Sequence, residues 1–153
     1  RGGWAHWDEK LSSNFRIPTD TPFNQILVPT TDTARYGYLL STLMHSGWHV
    51  MLTGDVGVGK SSIISSTLGS LGDSFLSTNI NFSARTKSTR VSDDIEAKVE
   101  KRTKDTWAPP SGKKLIVFID DFNMPEKEVF FAQPPLEILR QWMQYSFWYD
   151  LKK

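Results

Sequence analysis

The sequence predicts an α/β domain built on a parallel sheet, and three observations carry that prediction. A glycine-rich stretch, Gly54-Asp-Val-Gly-Val-Gly-Lys-Ser61, lies between a short apolar run and a helical pattern. Strand-like and helix-like segments alternate along the chain, the order in which crossover helices join parallel strands. The apolar run Leu115-Ile-Val-Phe-Ile119 ends in two acids, Asp120 and Asp121, and an unbroken run of that kind suits a strand covered on both faces.

Residues 1–30 place Trp4, Trp7, Phe15, Phe23, Ile26, Leu27 and Val28 among polar residues, with Pro18, Pro22 and Pro29 spaced too closely for a long helix. They read as an extended lead-in, followed by one domain over 31–153. From Thr33 to Ser46 the apolar positions Ala34, Tyr38, Leu39, Leu43 and Met44 recur at helical spacing, with Thr31 or Asp32 as N-cap and Gly47 as the stop. Trp48 to Thr53 then reads as a short buried strand entering the glycine-rich loop, and Ser61 to Leu68 as a helix. Phe75 to Phe82 predicts a second strand, Ser92 to Thr103 a charged helix with Ile95 and Val99 inward, and Leu115 to Ile119 a third strand. Ala108-Pro-Pro-Ser-Gly is a turn, Glu126 to Pro135 a loop, and Leu136 to Tyr145 a last helix. The chain shows no internal repeat.

Composition narrows the function classes. With 153 residues, 39% apolar and 23% charged, the chain fits one domain. Its formal charge of +1 supplies no overall field for gathering nucleic acid or an anionic membrane. The absence of cysteine excludes disulfides, a thiol nucleophile and cysteine-ligated zinc. No run of about 18 apolar residues is present to cross a bilayer, and the start at Arg1 lacks the apolar centre of a signal peptide, so it reads as a cut inside a longer chain. Arg85, Lys87, Arg90, Lys98, Lys101, Arg102, Lys104, Lys113 and Lys114 are interleaved with Asp93, Asp94, Glu96, Glu100 and Asp105, which reads as a solvated face rather than a nucleic-acid surface. His6, His45 and His49 lack metal-ligand spacing and read as structural. Trp142, Trp148 and Tyr149 read as core or interface.

The glycine-rich loop carries the chemistry. Gly54, Gly59, Lys60 and Ser61 satisfy GxxxxGK[ST], in which the glycines let successive backbone N–H groups turn onto a phosphate and the following helix points its positive end the same way. Lys60 reaches the β- and γ-phosphates and the Ser61 hydroxyl ligates Mg²⁺, a hard cation that takes oxygen ligands. The strand-loop-helix context separates this match from an ordinary glycine turn. Leu115 to Asp121 resembles a Walker B strand, which implies that Asp120 holds Mg²⁺, directly or through water, and that Asp121 stands where related ATPases keep the acid that orients and deprotonates the attacking water. Taken alone, two such acids also suit a solvated turn that caps a strand. Asn123 is either a hydrogen-bond partner for that water or Asp121, or a turn residue before Met124-Pro125.

Taken together, Trp4-Ala-His-Trp-Asp-Glu-Lys, Ile26-Leu-Val-Pro-Thr-Thr-Asp-Thr-Ala-Arg-Tyr-Gly-Tyr-Leu-Leu, the phosphate loop, Asn79-Ile-Asn-Phe-Ser-Ala-Arg-Thr, Ile119-Asp-Asp-Phe-Asn-Met-Pro and Gln133-Pro-Pro-Leu-Glu-Ile-Leu-Arg-Gln-Trp resemble a dynein heavy chain of axonemal type, specifically its third AAA+ module. The resemblance covers nearly the whole chain. It implies a P-loop NTPase fold of three αβα layers around a parallel sheet, incomplete at its C-terminal end because the strand bearing the sensor residue, the arginine finger and the helical lid come later. It therefore implies an incomplete pocket and poor stability of the piece alone. By position, the nucleotide-binding loop is Gly54, Asp55, Val56, Gly57, Val58, Gly59, Lys60, Ser61 and Ser62, of which Gly57, Gly59, Lys60, Ser61 and Ser62 contact phosphate and Mg²⁺; Leu27, Val28, Pro29 and Thr30 lie beside adenine with the helix Thr33 to Leu40 behind it, Ser61 and Asp120 hold the metal, and Lys60 and Asp121 are catalytic.

Related ATPases usually carry glutamate where this chain has Asp121, so one missing methylene withdraws the carboxylate by about 1.5 Å. A misplacement of about 1 Å can cost about a hundredfold in rate. The resemblance thus implies an ATP- or ADP-binding, Mg²⁺-dependent regulatory module, slow in hydrolysis, that gates a microtubule motor of cilia and flagella. The alternative is a structural ring module that binds nucleotide without turning it over; a P-loop kinase or nucleic-acid remodeller leaves the lead-in and Asn-Met-Pro segments unexplained. Implied partners are the neighbouring AAA+ modules, microtubules through other parts of the chain, and dynein intermediate and light chains, with no nucleic acid and no membrane. The implied location is cytoplasmic, in the cytoskeleton of the axoneme.

Overall fold

The computed structural model describes residues 3–11, 15–17, 22 and 26–149; within the lead-in, Pro18 and Phe23 lie outside the described residues. The chain divides into two compact units, Arg1–Gly72 and Asp73–Lys153.

The first unit holds a short 3-10 helix, Trp7–Lys10, and two α-helices, α1 (Thr31–His45) and α2 (Lys60–Gly69). Thr30, one residue before the expected caps, starts α1: its hydroxyl accepts from Thr33 N–H at 3.2 Å while the Thr33 hydroxyl accepts from Thr30 N–H at 2.7 Å. Gly47, at φ +79°, ends it. Trp48 N–H returns to Leu43 O at 3.0 Å and Gly47 N–H to Met44 O at 3.1 Å, the paired bonds of a Schellman cap. The lead-in docks on this helix through Trp7 and Tyr38, whose rings are 5.6 Å apart, and through the Thr31 hydroxyl donating to Asp8 Oδ1 at 2.6 Å. Helices α1 and α2 pack on each other at Gly37, where an added Cβ would lie 3.6 Å from Thr67 Oγ1.

The expected strand over Trp48 to Thr53 does not form. Trp48 and Met51 are each 70% exposed. An extended apolar segment becomes a strand only when a neighbour completes its ladder, and all strands among the described residues belong to the second unit.

In the second unit β1 (Phe75–Asn81) and β4 (Lys114–Asp120) run parallel, in register from Phe75 opposite Lys114 to Asn81 opposite Asp120. Between them come α3 (Ser88–Glu96) and a small antiparallel hairpin of β2 (Glu100–Lys101) and β3 (Trp107–Ala108); α4 (Pro134–Tyr145) follows. Ile80 is paired with Ile119, so Leu115, Val117 and Ile119 share its face of the sheet. Helices α3 and α4 cover that face: Ile80, Phe82, Val91, Ile95, Ile138 and Leu139 form the buried cluster, flanked by Trp142 and Trp148 packed edge-to-face at 5.8 Å. Val91 and Ile95 are 0% and 1% exposed.

Helix α3 begins and ends earlier than its charge pattern predicts. Its apolar side is Val91 and Ile95; beyond Val99 the run Glu100 to Lys104 offers nothing to bury, and a helix unsupported by packing gives way. Val99 falls outside the helix and is half-buried.

Candidate functional site

The sequence-predicted site residues divide between the units: the phosphate loop and the segment before α1 belong to the first, Asp120 and Asp121 to the second.

Two of the loop glycines sit where a side chain is strained, Gly57 at φ +83° and Gly59 at φ +82°. The space a Cβ would take at either is open, with no atom within 4 Å. Gly59 is the N-cap of α2 and no side chain caps that helix. The first N–H groups of α2, on Lys60, Ser61 and Ser62, are therefore the uncompensated positive end of a helix, facing a concave backbone. Lys60 Nζ donates to Gly54 O at 2.9 Å and to Asp55 O at 2.6 Å, tying the mouth of the loop to the helix. Val56 and Val58 are 101% and 58% exposed, and a Cβ added at Gly54 would lie 3.8 Å from Val58 Cγ2. A cradle of N–H groups, one ammonium and one hydroxyl suits a polyphosphate.

The segment before α1 contributes a second feature. Leu27 and Pro29 line a groove of about 390 Å³ with Thr33 and Gly37 of α1 and Ile63 and Thr67 of α2. That volume is in the range of small-molecule sites. Val28 is 58% exposed and Thr30 is occupied as the α1 cap, while Pro29 is half-buried in the groove wall. Gly37 lies in the helix that the resemblance puts behind adenine, whereas Ile63 and Thr67 escaped the sequence reading because each is unremarkable helix filling; the position of Ile63 just after the GKS motif was the available signal.

In the second unit Asp120 closes β4, half-buried, its carbonyl accepting from Phe82 N–H at 3.0 Å. The chain then turns at Asp121, which has φ +53°. Asp121 N–H donates to Asp120 Oδ1 at 3.1 Å and its carbonyl accepts from Met124 N–H at 2.9 Å. Aspartate tolerates the left-handed region better than most residues. Its carboxylate is exposed, as is Asn123. Ser61 carries its hydroxyl in the first unit and Asp120 its carboxylate in the second. Among the described residues no three-member cluster of His, Cys, Asp or Glu is arranged to hold a metal ion.

The family model for the P-loop containing dynein motor region matches residues 15–153. The chain belongs to that family. Its similarity to dynein heavy chains extends over almost its whole length: it is 50% identical over 151 residues, 98% of this chain, to dynein axonemal heavy chain 2 of Mus musculus. It is 48% identical over 151 residues to the dynein-1-beta heavy chain, flagellar inner arm I1 complex, of Chlamydomonas reinhardtii, and 40% identical over 153 residues to dynein axonemal heavy chain 3 of Mus musculus. The chain spans only 3% of the first two relatives and 4% of the third. As a member of the dynein motor-region family it has the P-loop α/β fold with a parallel sheet, a fold that implies nucleotide binding in general terms. No described helix is long and apolar enough to cross a membrane.

Proposed function

We propose that this chain is the nucleotide-binding part of the third AAA+ module of an axonemal dynein heavy chain, where it binds Mg-ATP or ADP, hydrolyses ATP slowly and gates the motor. The observation that carries the reading is the phosphate loop: an uncapped α2 N-terminus, two glycines in the left-handed region and Lys60 anchored across the loop mouth, within a chain of the dynein motor-region family. The axonemal placement, in the cytoskeleton of cilia or flagella, follows the names of the relatives. The partners that go with it are neighbouring AAA+ modules, microtubules reached through other parts of the heavy chain, and intermediate and light chains.

Each residue has one task in this reading. The N–H groups from Gly57 to Ser62 take the phosphate oxygens, and Lys60 exchanges a carbonyl partner for the β- and γ-phosphates. Pro29 and Ile63 supply apolar surface for the base. By the resemblance Ser61 and Asp120 would hold magnesium, which would supply positive charge against the developing phosphate charge, and Asp121 would accept the proton of the attacking water. Asp121 favours slow turnover, and in its limit the reading of a structural module that keeps its nucleotide.

The test is Mg-dependent binding of labelled ATP and ADP, with phosphate release followed in the same samples. Lys60→Ala is expected to abolish binding while leaving the far-ultraviolet circular dichroism unchanged. Equal binding by the folded variant would overturn the assignment. In the full motor, Asp121→Asn is expected to raise the ATP-to-ADP ratio held at steady state; an unchanged ratio would leave the non-hydrolysing module as the correct reading.

A further inference from the structure

Part of the groove in the first unit is built by the lead-in, and it carries a group to which the nucleotide reading gives no task. Lys10 and Leu11 line the groove together with Pro29 and Ile63. Their segment is fixed by bonds of its own. The His6 Nδ1 accepts from Asp8 N–H at 3.3 Å and Glu9 accepts from His6 N–H at 3.4 Å, a reciprocal cap at the start of the 3-10 helix. Asp8 in turn takes the Thr31 hydroxyl, which ties the turn to α1. The turn ends on Lys10, whose Nζ stands 4.6 Å from the Tyr38 ring centroid and 5.5 Å from that of Trp7. Among the described residues no carboxylate forms an ion pair with it.

Of the described residues that line the groove, Lys10 alone carries a charge. The hydroxyl hydrogens beside it are committed to main-chain carbonyls: Thr33 donates to Thr30 O at 2.9 Å, Thr67 to Ile63 O at 2.8 Å and Ser70 to Thr67 O at 2.7 Å. The Lys10 ammonium is therefore the strongest donor the groove has left. It brings three N–H bonds and no acceptor, and a ring face holds it less firmly than a direct hydrogen bond from a charged donor. A donor of that kind beside apolar surface suits a flat ligand with lone pairs in its ring plane, and adenine offers them at N1, N3 and N7. We propose that Lys10 is a base-recognition residue of the nucleotide site, its ammonium moving from the Tyr38 ring to donate to one of these ring nitrogens while Pro29 and Ile63 take the faces of the base. The assignment rests on the nucleotide reading of the phosphate loop and adds to it the residue that joins base to lead-in. Phosphate is the poorer target for Lys10, because the loop amides and Lys60 already meet it and Lys10 stands among aromatic and aliphatic groups.

The experiment photolabels the full-length protein with 2-azido-ATP below saturation and quantifies by mass spectrometry the labelled peptides from Arg1–Gly72, so that nucleotide sites elsewhere in the protein do not count. The competitors are ATP, its 1-deaza, 3-deaza and 7-deaza analogues, 2′-deoxy-ATP and inorganic tripolyphosphate. One deaza analogue is expected to compete about tenfold or more worse than ATP, as the loss of a hydrogen bond to a charged donor requires. Lys10→Met, which keeps an unbranched stem against the two rings, should weaken ATP by the same factor and erase that analogue's deficit, and Lys10→Arg, which keeps a donor, should retain the deficit. Tripolyphosphate, having no base, should compete equally against the wild type and Lys10→Met. A deficit that survives Lys10→Met, ATP that competes equally well against both proteins, or a loss confined to 2′-deoxy-ATP would overturn the assignment. So would tripolyphosphate weakened in step with ATP, since that marks a structural role. Labelling that depends on Lys60 but not on Lys10 overturns the Lys10 assignment alone, whereas no labelling of these peptides brings down the phosphate-loop reading and Lys10 with it.

Discussion

Asp121 shows how a single residue can meet a backbone demand and, in the proposed function, a catalytic one together. Its φ of +53° belongs to the left-handed region, which a short polar side chain tolerates and a longer one resists by about 1–2 kcal/mol. The aspartate therefore eases the turn after β4 while holding its carboxylate back from where the resemblance implies a glutamate would reach. Asp121→Glu is expected to speed phosphate release by up to about a hundredfold and to lower the melting temperature slightly. A variant both slower and unaltered in stability would show that the carboxylate's reach is not what limits turnover. The Lys60 variant tests the companion residue, because its ammonium already bridges Gly54 and Asp55 before any phosphate arrives.

Among the elements, α3 and α4 carry the core of the second unit. Ile95 lies wholly inside the cluster, whereas Val99 is outside the helix and half-buried. Ile95→Ala is expected to cost about 2–5 kcal/mol, and Val99→Ala clearly less; denaturant unfolding that ranked them equally would mean that the helix runs further than Glu96. On the exposed side of α4, Arg140 donates to Glu137 at 2.6 and 2.8 Å. Those bonds hold the Glu137 carboxyl below the usual carboxylate range and raise Arg140. A lowered carboxylate stabilises the fold above its ordinary pKa, and that contribution fades as pH falls through the lowered value. Glu137→Gln should therefore reduce the melting temperature a little at neutral pH and not at all once the carboxyl is protonated. A difference that persisted in acid would point to a cause other than the ion pair.

For the whole chain, the central fact is its division into two units, with the glycine-rich loop proposed to bind phosphate in one and the acid pair in the other. The paired sheet β1–β4 has two strands, and its stability comes from the helices laid on it rather than from its ladder. A ligand that binds the folded form at about 1,000 times its dissociation constant contributes about 4 kcal/mol. Mg-ATP is accordingly expected to raise the melting temperature and to slow hydrogen exchange first in Gly54 to Ile63. Protection elsewhere with none in the loop would place the nucleotide at a different site.

The sequence alone determined what is local. The GxxxxGK[ST] spacing, the apolar run ending in Asp120 and Asp121, and the helical periods before and after the loop were all legible, because glycine freedom and apolar period are properties of neighbouring residues. The parallel relation of β1 and β4 followed from the alternation of elements, and the family resemblance followed from the motifs. Tertiary structure decided the rest. Trp48 to Thr53 has the composition of a strand and is not one, since a ladder needs a partner that composition does not reveal. Helix α3 stops at Glu96 because burial, not propensity, sustains it, and the hairpin forms from residues that read only as charged. Gly37, Ile63 and Thr67 meet Leu27 and Pro29 around one groove because two helices pack closely at a glycine. The positive φ of Asp121 arises where β4 must turn. For the missing strand, the end of α3 and the groove the deciding energy lies in contacts between residues far apart in the chain, which no window of sequence contains; the hairpin and the Asp121 turn close through bonds between near neighbours, but their conformation is not written in composition.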